Sequence, residues 1–232
     1  MPQDFIKNPY ALDVLARVDA INLVPHQQPT PLKNLKKNNT FQYVGVKYPN
    51  VGVYHSYAEY IHSLWLESRK AVISFVPHPF LLKVDNSRYV PTYYVLHDDK
   101  AEVVQLAKQG VMTWPDPELV RVFFAREQMY FTILNVDEVI AREKEALHWR
   151  PIVQTLAAAN RYGVDTRADE AELLNHCGAL GSCVVGDIIN PLRHADNTNH
   201  LTALYRLIHR HELEVDLSVL QLDYDTPIQL CI

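Results

Sequence analysis

The spacing of apolar residues predicts the elements before any chemistry is considered. Tyr57, Tyr60, Ile61, Leu64 and Trp65 recur at i, i+3, i+4, i+7 and i+8, the stripe of an amphipathic helix, so residues 56–69 are expected to be helical. Ahead of it, Phe41-Gln42-Tyr43-Val44-Gly45-Val46 reads as a short strand. After it come strand-like runs at 71–76, 80–84, 88–96 and 101–106. The first two flank Pro77-His78-Pro79, and Asp98-Asp99 makes the turn between the last two. Residues 116–126 read as a helix after Trp114-Pro115, 129–134 as a strand and 136–147 as a helix. One helix, an antiparallel meander, a second helix and a returning strand make an α/β layer with mixed strand directions.

The two ends carry different patterns. Leu12, Val14, Leu15, Val18 and Ile21 stand at helical spacing after Asn8-Pro9, a cap and first turn, so an N-terminal arm over 1–40 is expected to hold one helix. Pro25, Pro29 and Pro31 then break the chain. Lys33, Lys36 and Lys37 form a small basic run, either a solvated loop or an arm that contacts phosphate. Beyond residue 147 strand signals nearly vanish. Helical patterns run over 149–161, 169–177, 184–192 and 201–210, and the tail reads as a short helix and a final strand at 226–230. Small helices followed by a hairpin-like end suggest a winged-helix-type module. The expected division is an arm at 1–40, an α/β domain at 41–147 and a helical domain at 148–232.

Composition narrows the class. The 232 residues are 48% hydrophobic and 21% charged, enough to bury a sizeable core and unlike a disordered chain. Only 7 glycines argue against collagen-like or propeller designs. No apolar stretch is long enough to span a membrane, and Met1-Pro2-Gln3-Asp4 does not open like a secretory signal. Cys177, Cys183 and Cys231 leave at least one thiol unpaired, so a reducing, cytoplasmic setting is expected, with buried free thiols rather than a zinc site. A net charge of −5 is unlike a stand-alone duplex binder, whose affinity comes mostly from phosphate neutralisation. Any contact with DNA is expected to be local or to pass through a partner. Serine-hydrolase, nucleotide-hydrolase and dinucleotide motifs are absent.

The stretch from Lys37 to Ala157 carries a family resemblance. Lys37-Asn38-Asn39-Thr40-Phe41, Ser56-Tyr57-Ala58-Glu59, Val76-Pro77-His78-Pro79-Phe80, Tyr89-Val90-Pro91-Thr92-Tyr93, Ala101-Glu102-Val103-Val104-Gln105 and Tyr130-Phe131-Thr132-Ile133-Leu134 follow one another in an order and spacing that resembles the nuclease domain of TnsA-type heteromeric transposase endonucleases. The resemblance covers roughly half the chain. It implies a restriction-endonuclease-like N-terminal domain, a mixed sheet flanked by helices, and a mostly helical, winged-helix-like C-terminal domain. Implied partners are a DDE transposase and an AAA+ regulator, with DNA reached through them.

Such a fold cuts phosphodiesters with Mg²⁺ held by converging carboxylates, since hard cations take oxygen ligands. The family pattern is a helix glutamate, a Pro-Asp turn opening a strand, and a Glu- or Gln-x-Lys on the next strand. Here Glu59 falls at the helix position, where it also completes a capping box with Ser56. Thr92 stands where the aspartate is expected, offering a hydroxyl and no charge. Gln105 is followed at i+2 by Ala107, and Glu102 by Val104, so neither register supplies the lysine; Lys108 is one residue late. His78-Pro79 replaces the usual Gln-Pro. The expectation is a degenerate site at Glu59, Thr92 and Gln105 that keeps its shape, lacks its chemistry and needs no cofactor. Mg²⁺ belongs only to the alternative, an active endonuclease whose ligands have migrated among Glu59, Glu67, Asp85, Glu102 and Lys108. A second alternative is an interaction protein that reuses the fold outside transposition. In the C-terminal part, Arg206 and Arg210, one turn apart, are candidate contacts to DNA or a partner.

Overall fold

A computed structural model describes residues 17–20, 22–30, 39–181, 183–189 and 194–231, with side chains from 198 onward in the last segment. The chain divides into two compact units. The first takes Met1–Tyr43, Val51–Tyr60 and Ala71–Ala141; the second takes Val44–Asn50, Ile61–Lys70 and Arg142–Ile232. The long run of the second unit thus starts at Arg142, and two short segments from the middle of the sequence join it. Lys33, Lys36, Lys37 and most of the expected arm helix lie outside the described residues.

In the first unit, strands β4 (Val72–Pro77), β7 (Tyr93–His97), β8 (Ala101–Ala107) and β9 (Met129–Asn135) form one sheet in that order. β4, β7 and β8 are antiparallel, and β8 pairs parallel with β9. Helix α1 (Tyr57–Glu67) precedes the sheet, and α2 (Pro117–Arg126) makes the crossover that a parallel return requires. Asp116 caps α2, accepting the Glu118 N–H, and Pro117 opens its first turn. Leu119, Val120, Phe123 and Phe124 of α2 are buried in one cluster with Val103 and Phe131 of the sheet.

The long strand expected over 88–96 is two strands. β6 (Ser87–Tyr89) pairs with β5 (Leu82–Val84), and β7 starts only at Tyr93. Pro91 has no N–H to give a ladder, so the strand breaks there. β1 (Val18–Ala20) lies on the other side of β5, so Val18, expected on a helix, is on a strand instead. Its side chain is buried against the Phe80 and Leu82 cluster, and sheet packing overrides the local helical spacing. β2 (Phe41–Val44) and β3 (Val51–Tyr54) make a separate two-stranded sheet. A short helix α3 (Val136–Ile140), capped by Asn135, closes the unit.

The second unit is mostly helical. α4 (Glu143–Arg161), α5 (Arg167–Leu180) and α7 (His194–His209) bury Trp149, Ile152, Leu156, Leu173, Leu204 and Leu207 among other apolar side chains. A small antiparallel sheet runs β10 (Cys183–Val184), β12 (Pro227–Leu230), β11 (Leu213–Glu214). The expected helix over 184–192 is only one turn, α6 (Val185–Ile188), because Cys183 and Val184 pair with β12. The tail forms the expected final strand, but residues 215–226 hold turns rather than a helix. Cys177 and Cys183 are buried thiols 3.1 Å apart. No helix among the described residues is long and apolar enough to cross a membrane.

The α2–sheet packing makes a test of the first core. Phe124 is fully buried between Phe80 and Phe131, with ring centroids at 6.0 and 5.9 Å. Phe124→Ala is expected to lower unfolding free energy by about 3–5 kcal/mol in urea titrations. Tyr130→Ala, at a side chain 63% exposed on the same β9 strand, is expected to stay within about 0.5 kcal/mol of the parent protein.

Candidate functional site

The start of α1 fixes the first site residue. Ser56 Oγ accepts the Glu59 N–H at 3.2 Å. Glu59 Oε2 in turn accepts the N–H of His55 at 2.6 Å, one residue ahead of the cap. The Tyr93 hydroxyl donates to the Glu59 carbonyl at 2.5 Å, tying this helix turn to β7. The bond to the backbone ahead of the helix and the contact with His78 thus fall on one carboxylate.

His78 comes to the same place from the end of β4. It sits between Pro77 and Pro79 in the left-handed region, φ 49°, a conformation that costs a non-glycine residue about 1–3 kcal/mol. Three hydrogen bonds hold that turn. The His78 N–H donates to the Thr92 carbonyl at 2.8 Å, the Gln28 N–H donates to the His78 carbonyl at 2.9 Å, and the His26 N–H donates to the Pro79 carbonyl at 3.2 Å. The His78 ring lies 4.1 Å from that of His55, nearly parallel to it. Nε2 of His55 is 2.8 Å from Thr30 Oγ1. Nε2 of His78 is 3.2 Å from Glu59 Oε2, an ion-pair contact that falls short of strict hydrogen-bond geometry. Burial alone would raise the Glu59 carboxyl; the facing His78 ring and the His55 N–H outweigh it and hold the acid below its ordinary value. Burial and the neighbouring His78 push the His55 imidazole down, against the pull of Glu59.

The three expected site residues do not converge. Thr92 is buried, and its hydroxyl accepts the Leu106 N–H at 3.0 Å while its own N–H donates to the Val104 carbonyl. It stitches β7 to β8 where Pro91 leaves the ladder short, and its backbone carbonyl, not its hydroxyl, reaches His78. Gln105 points away from Glu59. Tyr93 pairs with Val104 across β7 and β8, and Tyr93 carries the bond to Glu59, so period-two alternation puts Gln105 on the opposite sheet face. There it accepts from the Tyr89 hydroxyl at 2.8 Å and donates to the Leu106 carbonyl. Glu102, two residues from Val104, shares the Tyr93 face, where it holds His97 Nε2 at 2.9 Å and the Thr132 hydroxyl at 2.5 Å. Counting alternate residues from Tyr93 was the signal that could have chosen Glu102 over Gln105. Of the other possible substitutes, Asp85 is paired with Arg17 in the β5–β6 turn, and Lys108 lies in a short 3-10 turn past β8.

No family model matches the chain, and no curated protein matches it either.

Among the described residues, His55, Glu59 and His78 are the one group of three metal-ligating side chains whose ligand atoms all lie within 4.8 Å of one another. Sequence reasoning reached Glu59 and noticed His78, but missed His55 as its neighbour. The hint was local: His55 directly precedes the Ser56 cap, so a glutamate reaching back along the helix end must come close to it.

The second unit buries charge in a different way. Glu67 is fully buried and accepts the N–H groups of Val46 and Lys47. His209 Nε2 lies 3.1 Å from its second oxygen. A side chain on Gly45 would overlap the Glu67 carboxylate, which explains a glycine there. Lys47 Nζ caps the end of α1, donating to the carbonyls of Leu66 and Arg69; burial lowers its ammonium to about 8. Arg206 and Arg210 both pair with the Glu170 carboxylate; Arg206 also donates to the Val164 carbonyl and to Thr166, and Arg210 also pairs with Glu212. Arg206 is mostly buried in this clamp, while Arg210 holds it from the surface.

Two histidines of this unit make its stability depend on pH. Burial, then Arg142, lowers His62 to about 3; burial, then Lys47 and other cations, lowers His211 to about 4. Both folded values lie below the ordinary one, so between pH 6.5 and about 4 the unfolded chain binds more protons and stability falls as pH falls. His62, wholly buried, is expected to contribute a slope of about 1.4 kcal/mol per pH unit across that range. Urea midpoints measured from neutral pH to pH 5 are expected to drop, and His62→Gln is expected to flatten the drop whatever it does to stability at pH 7.

Proposed function

We propose that this chain is a TnsA-like subunit of a mobile-element machinery that assembles with a DDE transposase and an AAA+ regulator without cutting DNA itself. One observation carries the loss of cleavage. At the position where the nuclease pattern places its aspartate, the Thr92 hydroxyl is occupied by the Leu106 N–H, and among the described residues no second carboxylate joins the Glu59 cluster. Glu59 faces two imidazoles instead. That set does not fit Mg²⁺, which demands oxygen ligands in octahedral array. Losing the ligand aspartate and the lysine beside the phosphate removes two electrostatic contributions of about 3 kcal/mol each, or roughly 10⁴-fold in rate.

The order of elements supports the nuclease-type ancestry. Helix α1, antiparallel β4, β7 and β8, crossover α2 and parallel β9 follow the helix–meander–helix–strand sequence that a restriction-endonuclease-like core would use. Helices α4, α5 and α7 with a three-stranded β10-β12-β11 sheet agree in kind with a winged-helix-like second domain. The Glu170 clamp on Arg206 and Arg210 favours protein partners over phosphate for that domain, since charges already paired release few counterions on DNA binding.

Two measurements test this function. Purified protein incubated with Mg²⁺ or Mn²⁺ is expected to leave supercoiled plasmid uncut, and tagged protein is expected to retain a transposase core from the same source. Metal-dependent nicking that Glu59→Ala abolishes would favour the active-endonuclease alternative, and absence of any transposase interaction would sink the assembly role.

A further inference from the structure

We propose that His55, Glu59 and His78 bind one borderline divalent transition ion of the Zn²⁺ or Co²⁺ kind. The inference does not rest on the transposition reading; it follows from the donor set alone.

Two imidazoles and one carboxylate are the ligands that zinc and its neighbours take, while Mg²⁺ and Ca²⁺ prefer oxygen throughout. Zinc bonds of about 2.0–2.1 Å put tetrahedral ligand atoms roughly 3.3 Å apart. The His78 Nε2 to Glu59 Oε2 separation is 3.2 Å, already that spacing. The two atoms face each other in an ion-pair contact that falls short of hydrogen-bond geometry. The His78 side chain is nine-tenths buried and its Nε2 makes no aligned hydrogen bond, a cost that an ion held between it and Glu59 would remove. His55 completes the trio within 4.8 Å. Its Nε2 is occupied by Thr30 Oγ1, which leaves Nδ1 for the ion. Thr30 thereby acts as the outer partner that sets the ring's tautomer and orientation.

Each ligand is anchored by its backbone. Glu59 sits in the first turn of α1, His55 is held by the carboxylate it faces, and His78 is fixed in its left-handed turn by Thr92 and the 26–28 segment. The strain at φ 49° is thus maintained by three hydrogen bonds where a glycine would have been the easier choice. Three protein ligands leave a fourth position open, the arrangement of exchangeable rather than closed structural sites.

The test uses the full chain stripped with chelator and titrated with Zn²⁺ by calorimetry and with Co²⁺ by visible absorption. One ion per chain is expected, with low-symmetry cobalt bands of the intensity that four- or five-coordinate sites give. Mg²⁺ at the same concentration is expected neither to bind nor to compete. Glu59→Gln and His78→Gln are each expected to weaken Zn²⁺ at least about tenfold, since even loss of an outer partner costs that much. Thr30→Val is expected to weaken it less, and circular dichroism checks that each variant folds. If His78→Gln fails to fold, Glu59→Gln and His55→Gln carry the test. Stoichiometric binding that these substitutions leave unchanged places the ion elsewhere and overturns the proposal, as does absence of binding or equal binding of Mg²⁺. Neither cleavage nor transposase binding enters these readouts, so a failure here is distinct from a failure of the assembly role.

Discussion

Register at one residue governs the first unit. Tyr93 stands opposite Pro77 on β4 and opposite Val104 on β8. Because strands alternate faces, that double pairing decides which side chains look toward the first turn of α1 and which look toward α2. Tyr93 itself bonds the Glu59 carbonyl, Val95 and Glu102 follow on its face, and Tyr94, Val103 and Gln105 take the other. A slip of one residue would exchange the two sets, expose the Phe124 and Phe131 core and carry Gln105 to Glu59. The same register brings the end of β4 beside Thr92, so His78 can donate its N–H there and turn its ring to the helix.

The order of elements through 41–147 was legible because each was strongly periodic and bounded by Pro, Gly or Asp. What escaped was set by pairing over long sequence distance. Val18 had helical spacing, yet it pairs with Val84. Cys183 and Val184 opened a helical run, yet they pair with β12 near the end of the chain. Propensity is a local quantity and cannot see such partners. The site was half legible for the same reason. Glu59 was marked by its own helix, whereas Gln105 was chosen by spacing alone, and only the cross-strand register shows that it faces the other way.

Both units bury charge, with different consequences. In the second, Glu67 receives two backbone N–H groups and a histidine, and Glu170 receives two arginines and a threonine hydroxyl. These acids have their lone pairs filled, and a buried carboxylate so satisfied is a structural device with little left for a ligand. Glu59 differs. One oxygen accepts a backbone N–H, but its contact with His78 is close and misaligned. The contrast separates an acid that finishes a fold from one that keeps coordinating capacity.

That contrast bears on how a site of this type changes chemistry. A hard-ion centre depends on at least two carboxylates whose mutual repulsion the ion relieves. Here the Thr92 hydroxyl is claimed by the ladder, and Glu59 is the one carboxylate of its cluster among the described residues, a buried acid that is costly unless partnered. Stability then favours giving it a partner. His78, supplied from the neighbouring turn, stands 3.2 Å from it. The stacked His55 ring is held below its ordinary value by burial and then by its His78 neighbour. Two imidazoles beside one carboxylate make up the donor set here, and it suits a softer ion than an all-oxygen set does.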